Sequence, residues 1–214
     1  MKLAIYCAGG LGKEVYDLAR RNAGEKYREI FFVDDARRTS NFYGAQVKTF
    51  NDVTSDGDTA FAIASGEPFV RGRLWEKIRH SGFLLATIVD GTAVISSSAK
   101  LGEGVLINAH VLVSSDALIG GNTYLQPCCY IAHDSAVGEN CVISSFCQVS
   151  GACVVGDNVF FGVGGCIREK VVVGGGSIIG MGSFVHKNIG EFTVAYGNPA
   201  RFVRKNDSRR VFKE

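Results

Sequence analysis

From the middle of the chain to near its end, an apolar residue returns at every sixth position. The series runs Ile95, Leu101, Ile107, Val113, Ile119, Leu125, Ile131, Val137, Ile143, Val149, Val155, Phe161, Ile167, Val173, Ile179 and Val185. Sixteen sites keep this spacing without an insertion, and Phe161 alone is not aliphatic. Four positions after each stands a mostly small side chain, including Ala99, Ala117, Thr123, Cys129, Ser135, Cys141, Cys147 and Cys153. Glycine often follows the aliphatic directly, as at Gly102, Gly120, Gly138, Gly156, Gly162, Gly174 and Gly180. A fixed short period of this kind belongs to a repeat architecture.

The first 90 residues follow a different pattern. Residues 2–7 read as an apolar strand, followed by a glycine turn and an amphipathic helix from about Lys13. Residues 29–35 form a second strand ending in Asp34 and Asp35. The scheme repeats with a strand at 60–64, a turn at 65–67, a helix to about His80 and a strand at 83–89. Strand, glycine turn, helix and strand make the βαβ pattern of an open, Rossmann-like parallel sheet. Ligands of such sheets sit beyond the carboxyl ends of the strands, with anions held at helix N-termini. Gly9, Gly10 and Gly12 would let a backbone approach a pyrophosphate, and Asp34 or Asp35 would accept from a base or ribose. The spacing is neither a Walker A loop nor a clean G-x-G-x-x-G. A nucleotide site and a plain tight βα turn both account for it.

The period of six resembles the hexapeptide-repeat superfamily, whose left-handed parallel β-helix takes three hexads per triangular coil. The handedness comes from that resemblance, since parallel crossovers are otherwise right-handed. Sixteen hexads then give about five coils, in which residues 18 apart stack at about 4.8 Å. Composition adds limits. With 27 glycines against 3 prolines, turns rather than disorder are expected. A net charge of +2 gives no electrostatic case for nucleic acid. No leader and no long apolar run stand in the chain, so a cytoplasmic protein without membrane insertion is expected. Seven cysteines fit reduced thiols. Four of them fall at the small inward position, where Cys acts as a compact hydrophobe. Cys128 and Cys129 lack C-x-x-C spacing, and His110 and His186 fall in columns different from His133, so no metal site is expected.

The stretch IAHD places His133 and Asp134 among small and aliphatic residues. In the 18-residue register His133 stacks on Gly151 in one direction and Ser115 in the other. A carboxylate beside an imidazole orients it as a general base. A solvated or interface histidine is the other reading, and Asp134 acts either on its own histidine or on a neighbour's.

The α/β domain, the coils, IAHD and the terminal YGNPARFV together resemble the bacterial nucleotide-sugar N-acetyltransferases of the bacillosamine-pathway type. The sialic acid O-acetyltransferases share that layout. The resemblance implies a nucleotide-binding domain at 1–90, an acyltransferase β-helix at 91–190 and a tail at 191–214. It implies a homotrimer with acetyl-CoA between adjacent β-helices, and no metal. By the same resemblance His133 is the catalytic base, Asp134 its acidic neighbour, and Gly151 the amide that meets the thioester carbonyl. Val163, Gly164, Gly180 and Met181 fall on the CoA groove, with Ala200 and Arg201 near its end. The nucleotide loops are CAGGLGKE (Gly9, Gly10, Leu11, Gly12), FVDD (Asp34, Asp35) and IASGEPFVRGR (Ser65, Gly66, Arg71). A second histidine carried by some members nine residues on is here Val142. The implied activity is acetyl transfer to the amine of a nucleotide-linked 4-amino-4,6-dideoxy sugar. Sugar O-acetylation and a non-catalytic ligand-binding β-helix are the alternatives. Tyr124, Tyr130, Phe146 and Phe160 are expected to point outward, as a trimer requires.

Overall fold

The computed structural model describes residues 1–23, 26–37, 39–55 and 57–212. In the N-terminal part, β1 (Lys2–Tyr6) leads into α1 (Gly10–Ala23), and β2 (Glu29–Val33) follows. A small hairpin of β3 (Asn41–Phe42) and β4 (Ala45–Lys48) precedes β5 (Thr59–Ile63), α2 (Pro68–His80) and β6 (Leu84–Leu85). The sheet order is β3-β4-β2-β1-β5-β6, parallel throughout except for the hairpin. Parallel strands covered on both sides read as continuous apolar runs, and β5 is buried along its whole length. One side of the sheet packs with Val15 and Leu18 of α1, and the other with Phe50, Ile78 and Phe83.

Helix α1 starts at Gly10, earlier than the expected Lys13. Gly12 therefore lies in its first turn, where a Cβ would stand 2.5 Å from the Cys7 carbonyl oxygen. Its missing side chain serves the close crossing of helix and strand. The expected strand 83–89 is two strands: Leu84–Leu85 closes the sheet, and Ile88–Val89 starts the second body.

That body is a three-sided parallel prism of two-residue strands. Partners lie 18 apart in sequence, as in Leu106↔Tyr124, Leu112↔Tyr130 and Leu118↔Ala136. The first face carries seven parallel rungs, from Ile88–Val89 to Thr193–Tyr196, and an antiparallel Arg201–Lys205. The second face, beginning at Val94–Ile95, has six rungs, and the third, from Lys100–Leu101, has five. The rod is thus longer than the expected five coils. Its inward series opens at Val89, one hexad before Ile95, and a further rung follows Val185.

From Gly104 to Gly182 each corner turns through one residue in the left-handed region, as at Asp116 (φ 58°), Asn122 (φ 55°), Asp134 (φ 58°) and Asn140 (φ 59°). Asn and Asp tolerate that region best among side chains, which accounts for their recurrence there. The small inward position has its own logic. Thr123, Cys129, Ser135, Cys141, Cys147 and Cys153 each donate to a carbonyl 15 residues on, at 2.7 to 3.2 Å. Hydroxyl and thiol are interchangeable there because both are small and both cap a corner carbonyl. Burial pushes the thiols of Cys129, Cys141 and Cys147 up to about 12.

The N-terminal domain sits on the first face. Ile88, Leu106 and Tyr124 share a core with α1, so Tyr124 is fully buried, not outward. Phe160, on the same face, is half-buried beneath Phe212 of the tail. Tyr130 and Phe146 are exposed as expected. The second and third faces stay bare, with Leu112, Tyr130 and Phe184 on one and Leu118, Val154 and Val172 on the other. Among the described residues no helix is long and apolar enough to cross a membrane.

Candidate active site

His133 and Asp134 form the corner between the second and third faces. The left-handed turn at Asp134 folds its carboxylate back onto the preceding ring, and His133 Nδ1 lies 2.7 Å from Asp134 Oδ2. The pair is thus made within one chain. A carboxylate that accepts from Nδ1–H leaves Nε2 with its lone pair facing out. Both side chains are about 60 % exposed (63 % and 61 %), so the ring is open to a ligand. Gly151 stacks on it as the register requires: a Cβ there would lie 2.8 Å from His133 Nε2 and Cε1. Its carbonyl accepts from the Lys170 amide, and among the described residues nothing takes its own N–H. Gly151→Ala should therefore displace the imidazole and lower kcat at least about tenfold, with little change in melting temperature. Equal activity in the variant would show that the ring does not work at this spot.

The residues expected at the CoA groove stand on another corner, between the first and second faces. Val163 and Met181 are exposed, Met181 to 77 %, and Gly164 makes the left-handed turn (φ 69°). Val163, Gly180 and Met181 line a groove of about 630 Å³ together with Phe160, Tyr196 and Phe212. Sequence reasoning missed these aromatics, since Phe212 reaches the groove only by the fold-back of the tail. Val211 and Phe212 amides donate to the Glu67 carboxylate at 2.9 and 2.8 Å. Gly66 of the N-terminal domain borders the same groove. Within one chain, the second face separates this corner from His133. Ala200 is buried in the prism core and Arg201 is exposed at the start of the last strand.

In the N-terminal domain, Gly9 and Gly10 have open space where a Cβ would lie, and Leu11 is half-buried beside them. Asp34 is committed to its own loop: Oδ2 accepts from Ala8 N at 2.9 Å, and Oδ1 from Ala36 N and Arg37 N at 3.0 and 3.1 Å. Asp35 accepts from Tyr6 Oη, Lys77 Nζ and Phe50 N at 2.6 to 2.8 Å. Burial alone would raise its pKa, but the Lys77, Tyr6 and Phe50 bonds hold it below the usual range. Ser65 Oγ accepts from Glu67 N. These aspartates shape the loops around the strand ends.

Arg71 differs from the expectation most. It is fully buried, with Nε and Nη2 on the Asn122 carbonyl at 2.8 and 2.6 Å and Nη2 on Asn122 Oδ1 at 2.9 Å. Nη1 donates to the carbonyls of Ile63 and Ser65 at 2.6 and 3.2 Å. Every nitrogen is occupied, so Arg71 is not free to hold a nucleotide. It ties the end of β5 to the corner between the third and first faces. Burial lowers its pKa to about 10.

Among the described residues no group of three His, Cys, Asp or Glu is arranged to hold a metal. Residues 2–78 match the PglD N-terminal domain, and residues 116–151 match the bacterial transferase hexapeptide repeats. The acetyltransferase domain of PglB from Neisseria gonorrhoeae is 28 % identical, with 94 % of this chain and 99 % of that one covered at a TM-score of 0.89. PerB from Caulobacter crescentus, solved with CoA and GDP-perosamine, is 26 % identical over 95 % and 98 % of the two chains at a TM-score of 0.88. WeeI from Acinetobacter baumannii is 25 % identical over 95 % and 100 % at a TM-score of 0.88. The fold and these matches define the class: the protein is an acyltransferase of the hexapeptide-repeat type. Its two parts match, in chain order, the PglD N-terminal domain and the hexapeptide repeats, and its likeness to PglB, PerB and WeeI runs almost end to end.

Proposed function

We propose that this protein transfers acetyl from acetyl-CoA to the amine of a nucleotide-linked 4-amino-4,6-dideoxy sugar. The observation that carries this is the His133–Asp134 pair against Gly151, on a chain similar throughout to PerB, which was solved with CoA and GDP-perosamine. The neutral amine attacks the thioester carbonyl, and His133 Nε2 takes the amine proton as the C–N bond forms. The Gly151 N–H stabilises the oxyanion. Collapse expels the CoA thiolate, which takes the proton back from the imidazolium, giving amide and free thiol. No acyl-enzyme is needed, since the inward thiols are buried and held protonated.

The nucleotide lies over Gly9, Gly10 and the α1 N-terminus, near Ser65 and Gly66. Acetyl-CoA lies along Val163, Gly164, Gly180 and Met181, with Arg201 toward its far end. A cyclic trimer supplies the missing juxtaposition. His133 and the Met181 column stand at opposite edges of the second face. A ring with that face turned inward brings each copy's His133 against its neighbour's groove. The exposed Leu112, Tyr130 and Phe184 supply the apolar surface such a ring buries. Leu112→Asp should therefore dissociate the trimer and abolish activity together, read by light scattering and assay on the same fractions. A fully active monomer would overturn the shared groove.

We assign the reaction to the cytoplasm, in keeping with its donor. The direct test is release of CoA thiol with a panel of UDP-, dTDP- and GDP-linked 4-amino-4,6-dideoxy sugars, with free sialic acid alongside. Thiol release with a nucleotide-linked amine is expected. Release with sialic acid alone would turn the reading to O-acetylation.

A further inference from the structure

Helix α1 and the corner between the first and second faces enclose a polar recess that the reading above does not use. It measures about 300 Å³ and is lined by Glu14, Asp17, Arg21, Asn108, Gln126 and Ser145. That is at the low end for ligand pockets, room for one sugar ring rather than a nucleotide. Most of its polar groups are committed. Asp17 accepts from Tyr43 Oη at 3.0 Å, and Arg21 reaches Asp90 at 3.2 Å. Asn108 donates to Tyr124 Oη at 3.0 Å and accepts from Ala109 N at 2.9 Å. Gln126 Oε1 accepts from Ser145 N at 3.2 Å, and among the described residues no acceptor takes its NH₂ group. Glu14 lines the space with one hydrogen bond, from Tyr124, and keeps acceptor capacity beside it; burial raises its pKa, and the Tyr124 bond offsets part of that.

The position of the recess matters as much as its lining. Glu14 follows Gly10 by one helical turn, so the recess opens along the same helix whose N-terminus takes the phosphates in the reading above. Gln126 also borders the groove of Val163 and Met181. In height along the rod, His133 falls between the corner residues Gln126 and Ser145. The ring that brings a neighbour's His133 to this corner therefore sets the base opposite the recess.

Resting on the acetyltransferase reading, we propose that Glu14 is a specificity-determining residue for the acceptor. Its carboxylate accepts a hydrogen bond from a hydroxyl of the sugar, while the Gln126 amide donates to the same ring. The sugar is thereby held between the phosphates at the α1 N-terminus and the neighbour's His133. The acceptor is one that presents a hydroxyl, not only deoxy carbons, to this wall.

Glu14→Gln keeps shape and removes the charge. With the nucleotide-linked amino sugar of the panel that the wild type turns over, its acceptor KM should rise at least tenfold. KM for acetyl-CoA and the calorimetric affinity for CoA should not change. GDP, UDP and dTDP without the sugar should bind wild type and variant alike. An unchanged acceptor KM in the variant would overturn the assignment and leave the acetyltransferase reading standing. Loss of affinity for a bare nucleotide diphosphate would overturn it too, by moving Glu14 to the nucleotide. No thiol release by the wild type with any panel member would overturn both.

Discussion

His133→Ala is expected to lower kcat by about 10²–10⁴-fold, the range a positioned general base contributes, while CoA affinity is unchanged. The physical reason lies in the timing of the proton. An attacking amine becomes cationic as the C–N bond forms, and without a base the adduct reverts by expelling the amine. His133 Nε2 stands at the surface with Asp134 fixing its other nitrogen at 2.7 Å, so the ring is oriented before substrate arrives. The side chain is 63 % exposed, and its loss should leave the melting temperature where it was. Steady-state kinetics with calorimetry of CoA binding checks this. A variant within threefold of wild-type kcat would remove His133 from the chemistry.

The second large effect concerns stability. Arg71→Ala should cost about 3–5 kcal/mol, because it strips the donors from the buried Ile63 and Asn122 carbonyls and the half-buried Ser65 carbonyl at once. At this chain length that corresponds to a fall of roughly 10 °C in melting temperature. Arg71→Lys should rescue little, since a single ammonium lacks the planar fork that spans Ile63, Ser65 and Asn122. A drop below about 2 °C in the alanine variant, by calorimetry, would show that water replaces the guanidinium at no cost. The N-terminal domain and the prism are joined at this point. Arg71→Lys should accordingly raise the acceptor KM before it affects the acetyl-CoA KM.

The prism was legible in the sequence because its rule is local and repeats: one inward aliphatic per six residues, a small residue four on, a turn between. The same rule predicts His133 against Gly151, where the structure has it. What it did not carry was the contact between the two bodies. Tyr124 and Phe160 occupy outward positions of their hexads, and only the N-terminal domain and tail settling on that face bury them. Arg71 stands in a loop-and-helix pattern that suits phosphate binding, yet its partner Asn122 lies 51 residues away. Long-range burial leaves no periodic trace. The recess around Glu14 escaped for the same reason, being assembled from α1 and three successive coils. The His133–Asp134 bond was open in the sequence because it depends on the turn at Asp134, whose φ of 58° swings the carboxylate back.

The 18-residue register makes the rod a ruler with discrete graduations. One rung is about 4.8 Å, so the spacing of Ser145, Val163 and Met181 along their corner is set in whole rungs. Deleting one residue between them would turn inward side chains outward along the rest of the ladder. Deleting 18 would keep every side chain on its proper side and bring the two ends one graduation closer. For the groove proposed above, the length of donor that fits is thus quantised by the fold, and changes in donor size are available to this scaffold in steps of a coil.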